Sequence, residues 1–575
     1  MLRQVFLRRH NSSPMLRKVY SAAGLVLVFG AGLAAQSTPL IYNRSITNAG
    51  SYMPAGLPNG AVAQGSIFTV FGNRLGPSTG VSANAFPLGT TLGGTSINVV
   101  QGNTTVAAIP VYVANGQINA IMPSNAPLGN ASLQVVTASG KGNLSPVRIV
   151  SSAFGIFSAL GSGQGPGILQ NFISQTNQPI NSPTIVAQPG QTITLWGTGL
   201  GPVSFPDNMA PQAGNLPVKT EVFVGGISAS VLYSGRTPCC SGTDQIVFNV
   251  PQNAPQGCWV PVYVRTGGTT ISNFVTMAIG PNANSCSTDV LPQFTSGYIN
   301  GKRIGKALAV RTTTREDVGM IAPVDVTSEY HVSFAFEPNP GPFPFNAAIS
   351  FPPQGTCTAY TLNGDLLNET GATLLPDVAP TTIPLDWGGP LQLTGPSGSK
   401  TLTITFNLAR VGFLDGMISN GILAGTLFLN SGSYTMQGFG GMDIGPFTTN
   451  FSIPQPVVWT QQDTTDVVTR AQPLTLSWTG GDSGQVIAIV FFAIDLPTNS
   501  SEVSVCLAPA GASSITIPAD LLSNMPATRN NPLQSKDVIY LIAMSGGSIQ
   551  PINATGLDVG ITEFDSIIGK TVVLQ

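Results

Sequence analysis

Gln64-Gly65-Ser66-Ile67-Phe68-Thr69-Val70-Phe71-Gly72-Asn73-Arg74-Leu75-Gly76-Pro77 recurs 125 residues later as Pro189-Gly190-Gln191-Thr192-Ile193-Thr194-Leu195-Trp196-Gly197-Thr198-Gly199-Leu200-Gly201-Pro202. A second block, Pro123-Ser124-Asn125-Ala126-Pro127-Leu128-Gly129, returns at an offset of 128 as Pro251-Gln252-Asn253-Ala254-Pro255-Gln256-Gly257. Just before it, Gln117-Ile118 matches Gln245-Ile246. Matches in the same order at nearly constant offset mean two copies of one domain. Each copy consists of short apolar runs rich in Val, Ile, Thr and Phe, punctuated by Gly, Pro and Asn at strand-plus-turn spacing. Neither keeps a helical period over a dozen residues, so each is expected to be a pair of antiparallel sheets packed face to face. Gly72 and Gly197 are expected where a strand tolerates no Cβ.

The Gly-x-x-Leu-Gly-Pro element after an apolar strand resembles the IPT/TIG branch of immunoglobulin-like sandwiches. Both copies are also similar to a repeat domain of exported proteins from Solibacter-type soil acidobacteria. The residues that carry this are Asn48-Ala49-Gly50-Ser51-Tyr52, Gly116-Gln117-Ile118-Asn119, Pro238-Cys239-Cys240 and Asp244-Gln245-Ile246. The resemblance covers about residues 45–280. It departs from the family pattern at Asn73-Arg74, where the second copy has Thr198-Gly199, and the first copy has no cysteines. It implies a fold and an exported setting, and no activity.

Outward from the repeats, the chain has 575 residues, of which only 8% are charged, against roughly 25% in an ordinary soluble domain. With 42% hydrophobic residues it can bury cores. At the amino terminus, Arg17 and Lys18 precede an uncharged, mostly apolar stretch, Ala22 to Ala35, that ends in small residues. A basic region, a short apolar region and a small-residue exit are the parts of a secretory signal, and the stretch falls short of the ~20 residues of a membrane span. Residues 1–35 are therefore expected to be a signal peptide, with Met1 or Met15 as its start. Its removal takes five of the 23 basic residues and leaves 18 against 25 acidic ones, a mature net charge of about −7. An acidic exported chain excludes nucleic acid as the expected partner, and no second long apolar run predicts a membrane span in the mature chain.

Six cysteines, Cys239, Cys240, Cys258, Cys286, Cys357 and Cys506, are an even count in an exported chain and read as disulfides. Paired metal-ligand spacings are absent. Adjacent cysteines form a strained eight-membered ring, so Cys239 and Cys240 are each expected to take one of Cys258 and Cys286, in either order. Cys357–Cys506 is then left as a long-range pair.

After a linker, Pro281–Gly297, no third copy appears. Thr401–Leu408 and Leu474–Gly481 alternate as half-buried strands, and Pro454-Gln455-Pro456 offers a boundary between them. The expected organisation is all-β: sandwich repeats at 40–155 and 156–282, a β-rich domain at 290–453, and an immunoglobulin-like domain at 456–575. A Cys357–Cys506 bond would staple the last two into a composite unit. One helical turn is expected near Pro518–Asn524, where Asp520 suits a helix start.

Chemistry is thin. His331 is the only histidine after the signal, so a histidine triad must use it and a two-histidine metal site is excluded. It lies in the alternating stretch Tyr330–Phe336, where a structural role is expected. No G-x-S-x-G elbow occurs. The acids Glu316, Asp317, Asp325, Glu329, Asp386, Asp443 and Asp482 are scattered without the pairing of a glycosidase, and Asp207 and Asp482 read as turn residues. Gly569-Lys570-Thr571 lacks the upstream glycine of a phosphate loop. No catalytic residue, metal or cofactor is expected. Lys302, Arg303, Lys306, Arg311 and Arg315 form the one charge cluster, read as a solvated face or an anion-binding patch. Trp196 and Trp478 are expected in cores, whereas Trp387, in Asp386-Trp387-Gly388-Gly389, is placed to expose its ring to a sugar. The expected function is an exported, non-enzymatic surface or extracellular interaction protein, with a protein or polysaccharide partner at the cell surface. The alternatives are a carbohydrate-binding protein and a hydrolase in the 290–575 half.

Overall fold

The computed structural model describes residues 38–316, 324–339, 341–347, 349–363, 381–402, 404–408, 411–414, 418–419, 427–495, 500–528 and 537–575. The signal-peptide expectation and Asp317 lie outside the described residues. The chain is all-β apart from short helices, with immunoglobulin-like sandwiches in tandem.

In the first repeat the quoted stretch becomes the strand Ile67–Asn73, which sits between Leu40–Asn48 and Gln117–Ile121, both antiparallel to it. The facing sheet is built on Thr95–Gln101, Gly129–Thr137 and Gly140–Val150. Alternate residues Phe68, Val70, Ile97, Val99, Leu133 and Val135 point inward and are fully buried between the sheets. The second repeat reproduces this with Thr192–Thr198, Asp244–Asn249, Thr220–Val224 and Gly257–Thr266. One difference matters. Thr104–Ala107 and Ile109–Val113 are separate strands in separate sheets of the first repeat. Their counterpart in the second is one strand, Ile227–Arg236, which pairs with Thr220–Val224 on one sheet and Asp244–Asn249 on the other, shifting register between Val231 and Tyr233. A bulged strand that bends from one sheet into the next closes that side of the sandwich.

Gly72 and Gly197 hold equivalent places. A Cβ on Gly72 would lie 2.1 Å from the Leu40 carbonyl oxygen, and one on Gly197 would lie 2.4 Å from that of Gly155. Each therefore lets a neighbouring backbone approach the strand. The repeats are locked end to end: Asn48 Nδ2 donates to the carbonyls of Ala153 and Thr198, and the Ile67 N–H donates to Thr198 Oγ1 at 2.8 Å. The Asn48 side chain also caps its own turn, accepting from the Gly50 and Ser51 N–H groups.

The segment expected as a linker contains a helix, Pro292–Ile299, whose Phe294 and Tyr298 are buried. Beyond it the expected boundary at 454–456 does not separate two sheets. One ten-stranded sheet draws strands from both sides of it, and Ile304–Glu316 runs parallel to Val559–Leu574 from Ile304↔Val559 to Arg315↔Lys570. Two small sheets cover one face of this long sheet. The four-stranded sheet of Leu391–Gly395, Gly398–Leu402, Gly432–Gly438 and Phe447–Ile453 packs over Ala307, Ala309, Ala335 and Phe564. The three-stranded sheet of Val457–Trp459, Leu474–Gly480 and Ser514–Ile517 packs over Ile489, Phe491 and Leu541. The helix Pro292–Ile299 lies on the opposite face. Residues 290–575 are thus one composite body, and an independent immunoglobulin-like domain at 456–575 is not formed. The helical turn near Pro518 appears as Ala519–Asn524. No helix among the described residues is long and apolar enough to cross a membrane.

Candidate functional site

The basic cluster is dispersed by the strand that carries it. Successive side chains of Ile304–Glu316 point to opposite faces, so Lys306 projects from one and Arg311 and Arg315 from the other. Lys306 is buried and its Nζ lies 2.6 Å from Glu563 Oε2. Beside it, burial and the neighbouring Glu563 carboxylate push Asp565 well above the usual carboxylate range. Arg311 pairs with Glu329 at 2.7 Å, and Glu329 also accepts the Phe428 and Leu429 N–H groups, which ties the long sheet to its four-stranded cover. Arg315 forks onto Asp325 through two 2.8 Å hydrogen bonds and also meets Asp463. Arg303 lies 4.0 Å from Glu337 and 3.9 Å from Asp443. Lys302 alone of the five is exposed. These residues do not form a common anion patch, because four of the five face carboxylates.

Trp387 is likewise not an exposed platform. Its ring is 5% exposed and packs against Phe447 with centroids 5.6 Å apart. It also lies over the bare backbone of Gly305, whose missing Cβ would stand 3.3 Å from it. The turn Asp386-Trp387-Gly388-Gly389 bends inward because Asp386 accepts the Gly388 and Met442 N–H groups while Asp443 accepts that of Asp386. Trp478 is buried as expected, but Trp196 is half-buried and donates its indole N–H to Gln170 Oε1 at 2.7 Å.

His331 is 3% exposed, with Nε2 2.5 Å from Ser333 Oγ. Burial lowers its pKa to about 3, which keeps the ring neutral. Asp207 accepts the Ser124 N–H and hydroxyl from the other repeat, and Asp482 accepts the Ser545 hydroxyl and Gly547 N–H. Both are turn-fastening roles. Among the described residues no group of three or more His, Cys, Asp or Glu is placed to hold a metal ion.

The disulfides correct the pairing expected of Cys239, Cys240, Cys258 and Cys286. Cys239 bonds Cys240, Cys258 bonds Cys286, and Cys357 bonds Cys506. The reason lies in the tertiary placement of the second repeat. Its Cys239–Cys240 hairpin tip turns towards the first repeat, where the site of a Cβ on Gly242 lies 2.7 Å from Ile67. Cys258 instead packs with Trp259 and Phe294 against the composite body.

Two features have no counterpart in the sequence reading. The first is a cleft of about 480 Å³ between the second repeat and the composite body. One wall is Gly225-Gly226-Ile227 with Tyr263 and Phe274, and the other includes Gly355-Thr356-Cys357, Ser514-Ile515-Thr516 and Pro518. Its wall is fixed by charge: Arg265 bridges Glu221 and Asp520, each at 3.0 Å, and the Tyr263 hydroxyl donates to Asp520. The second is Glu502, fully buried where both repeats meet the composite body, beside Tyr52, Gln164, Phe274 and Asn524. Burial raises its pKa to about 8, against a 2.6 Å hydrogen bond from Asn524 that lowers it. Residues so far apart in sequence leave no local signal for either feature.

No family model matches the chain, and no curated protein sequence matches it. Among solved structures it is similar to a Bacteroides ovatus mixed-linkage glucan utilization locus protein, SGBP-B, in complex with a mixed-linkage heptasaccharide. The identity is 11%, over 81% of this chain and 89% of that one, at a TM-score of 0.12. A tetra-tandem repeat from the extending region of a large adhesion protein matches at 11% identity over 92% and 99%, with a TM-score of 0.12. SGBP-B from a xyloglucan utilization locus of Bacteroides uniformis matches at 11% over 84% and 99%, with a TM-score of 0.14. Superpositions this loose leave the chain's own strand order as the ground for its fold.

Proposed function

We propose that this is an exported, non-enzymatic interaction protein of the cell surface or extracellular space, with its ligand seat in the cleft between the second repeat and the composite body. The cleft carries the reading. At about 480 Å³ it has the size of a small-ligand or short-oligomer site, and its two walls are held together by the Arg265–Asp520 pair and by Tyr263 and Phe274, which pack into the core of the composite body. Its lining carries no charged residue, and the exposed hydroxyl residues Ser514 and Thr516 stand beside apolar Ile227, Tyr263, Phe274 and Pro518. Such a surface recognises neutral polar ligands, which favours a polysaccharide chain over an anion. Disulfides in all three pairs suit an oxidising compartment.

The hydrolase alternative has less support. It requires an accessible pocket around His331 or two facing carboxylates, whereas His331 is buried and Glu329, Asp386, Asp443 and Asp482 fasten backbone or arginine.

The test is retention of residues 36–575 on insoluble polysaccharides, soluble glycans and cell-envelope fractions. Retention on one polysaccharide, abolished by Thr516→Trp at the exposed cleft rim, is the expected result. Retention that survives Thr516→Trp moves the seat elsewhere, and retention only on a protein fraction replaces the glycan by a protein partner.

A further inference from the structure

The three disulfides differ in what they can contribute. Cys357–Cys506 joins directly opposed residues of two paired strands and closes 149 residues, and Cys506 is fully buried. Cys258–Cys286 closes 28 residues, with Cys258 buried. A cross-link stabilises a fold chiefly by removing freedom from the unfolded chain, and more so for longer loops. Cys239–Cys240 closes no loop at all, since the residues are neighbours. It therefore adds almost nothing to that term. It is also the exposed bond, with both cysteines on the surface at the tip of the hairpin between Ile227–Arg236 and Asp244–Asn249. The tip is otherwise well held. The Thr243 N–H donates to the Cys240 carbonyl, and Gly242 O accepts from Thr198 Oγ1, which itself accepts the Ile67 N–H of the first repeat.

A disulfide that does little for stability yet meets solvent is placed for chemistry, because exchange depends on access of a thiolate to sulfur and on the leaving thiol. The two sulfurs are not equivalent. Thr237 is buried, and its hydroxyl takes the Cys239 N–H and donates to Cys239 Sγ, both at 3.4 Å. That donor stabilises negative charge on Cys239 as it leaves.

We propose that Cys239–Cys240 is a thiol–disulfide exchange site for dithiol reductants, attacked at Cys240 with Cys239 as the leaving sulfur. One thiolate of the dithiol bonds Cys240 Sγ, the Cys239–Cys240 bond breaks, and Cys239 departs as a thiolate that takes a proton. The second thiol of the reductant then displaces Cys240. Two electrons pass to the protein, which holds two adjacent thiols, and the dithiol leaves as its own disulfide. The reduced pair is a chelating site for trivalent arsenic, releasing one water when it captures an arsenic–oxygen group as two arsenic–sulfur bonds.

The experiment treats residues 36–575 with limiting dithiothreitol, quenches with iodoacetamide and maps the peptides. Alkylation of Cys239 and Cys240 at least tenfold faster than of Cys258, Cys286, Cys357 and Cys506 is expected, with an unchanged melting temperature. The reduced chain should take one phenylarsine oxide, and Cys240→Ser should take none. Thr237→Val, which folds with the same melting temperature, should slow the exchange several-fold. Equal reactivity of all six cysteines, or free thiols at 239 and 240 before treatment, overturns the exchange site. An unchanged rate in a folded Thr237→Val chain overturns the choice of leaving sulfur.

Discussion

Residues 38–280 and 290–575 are both stacks of β-sheet, yet they are wired differently. In the first region each sheet strand pairs inside its own repeat, and the repeats meet through a few side chains such as Asn48 and Thr198. In the second the central strand Ile304–Glu316 runs beside Val559–Leu574, and the chain between them supplies both further strands of the same sheet and the two small sheets that cover it. Charge follows wiring. The repeats bury one ion pair among the described residues, Arg236–Asp244 at 3.0 Å, where burial still pushes Asp244 up to about 6. The composite body buries Lys306–Glu563–Asp565 and the Glu329 carboxylate that holds half-buried Arg311 across its central strands. A parallel pairing across such a separation gains from contacts that only one register satisfies, and buried charge penalises every other register.

The sharpest way to break the comparison is the Cys357–Cys506 bond. Replacing both residues by serine should cost the composite body about 5 kcal/mol on the chain-entropy model, against about 3.5 for Cys258 and Cys286 and near zero for Cys239 and Cys240. Urea unfolding of the three double variants reads this order, and equal losses would mean that loop closure does not distinguish the halves.

Next is Lys306→Met, which leaves Glu563 and Asp565 buried without their cation. Removing one partner of a buried pair costs about 3–5 kcal/mol. The midpoint of the composite body's urea transition should fall accordingly, while that of the repeats stays in place. Arg236→Met should reverse the pattern.

Glu502 sharpens the comparison at the place where the regions meet. Burial raises its pKa from the usual 4.5 to about 8 on folding. The folded chain thus keeps a proton that the unfolded chain releases above pH ~4.5. Its contribution is fully present below that pH, declines as pH rises, and is lost by about pH 8. Glu502→Gln should remove this decline, so that the variant gains on the parent by on the order of a few kcal/mol between pH 5 and 8.5. Melting temperatures across that range test it, and parallel curves for the two chains would sink it.

The smallest effect is expected from Lys302→Ala. The side chain is exposed, so the stability change should stay within about 0.5 kcal/mol. A larger loss would show that the basic stretch acts as a unit after all.

How much was legible follows from the range of each interaction. Gly72 and Gly197, the paired strand patterns and the helical turn at Pro518 are local, and the sequence displays them. The fate of Lys306 was not legible, because a basic stretch on one strand looks like a patch until alternation sends its members to opposite faces. Trp387 was misjudged for a similar reason: a turn exposes a ring only if nothing packs on it, and Gly305, 82 residues earlier, makes the space it fills. The cleft and Glu502 had no local signal.

The sequence by itself determined the all-β class and the two repeats, since turn residues and two-residue alternation are properties of neighbouring residues. Tertiary structure alone decided the partners of Cys239, Cys240, Cys258 and Cys286, the merging of the last two segments and the pairing of nearly the whole basic cluster with carboxylates. Those outcomes depend on which distant backbones approach one another, and no short-range pattern encodes that. Adjacent Cys239 and Cys240 bond each other because folding turns their hairpin towards one neighbour and Cys258 towards another.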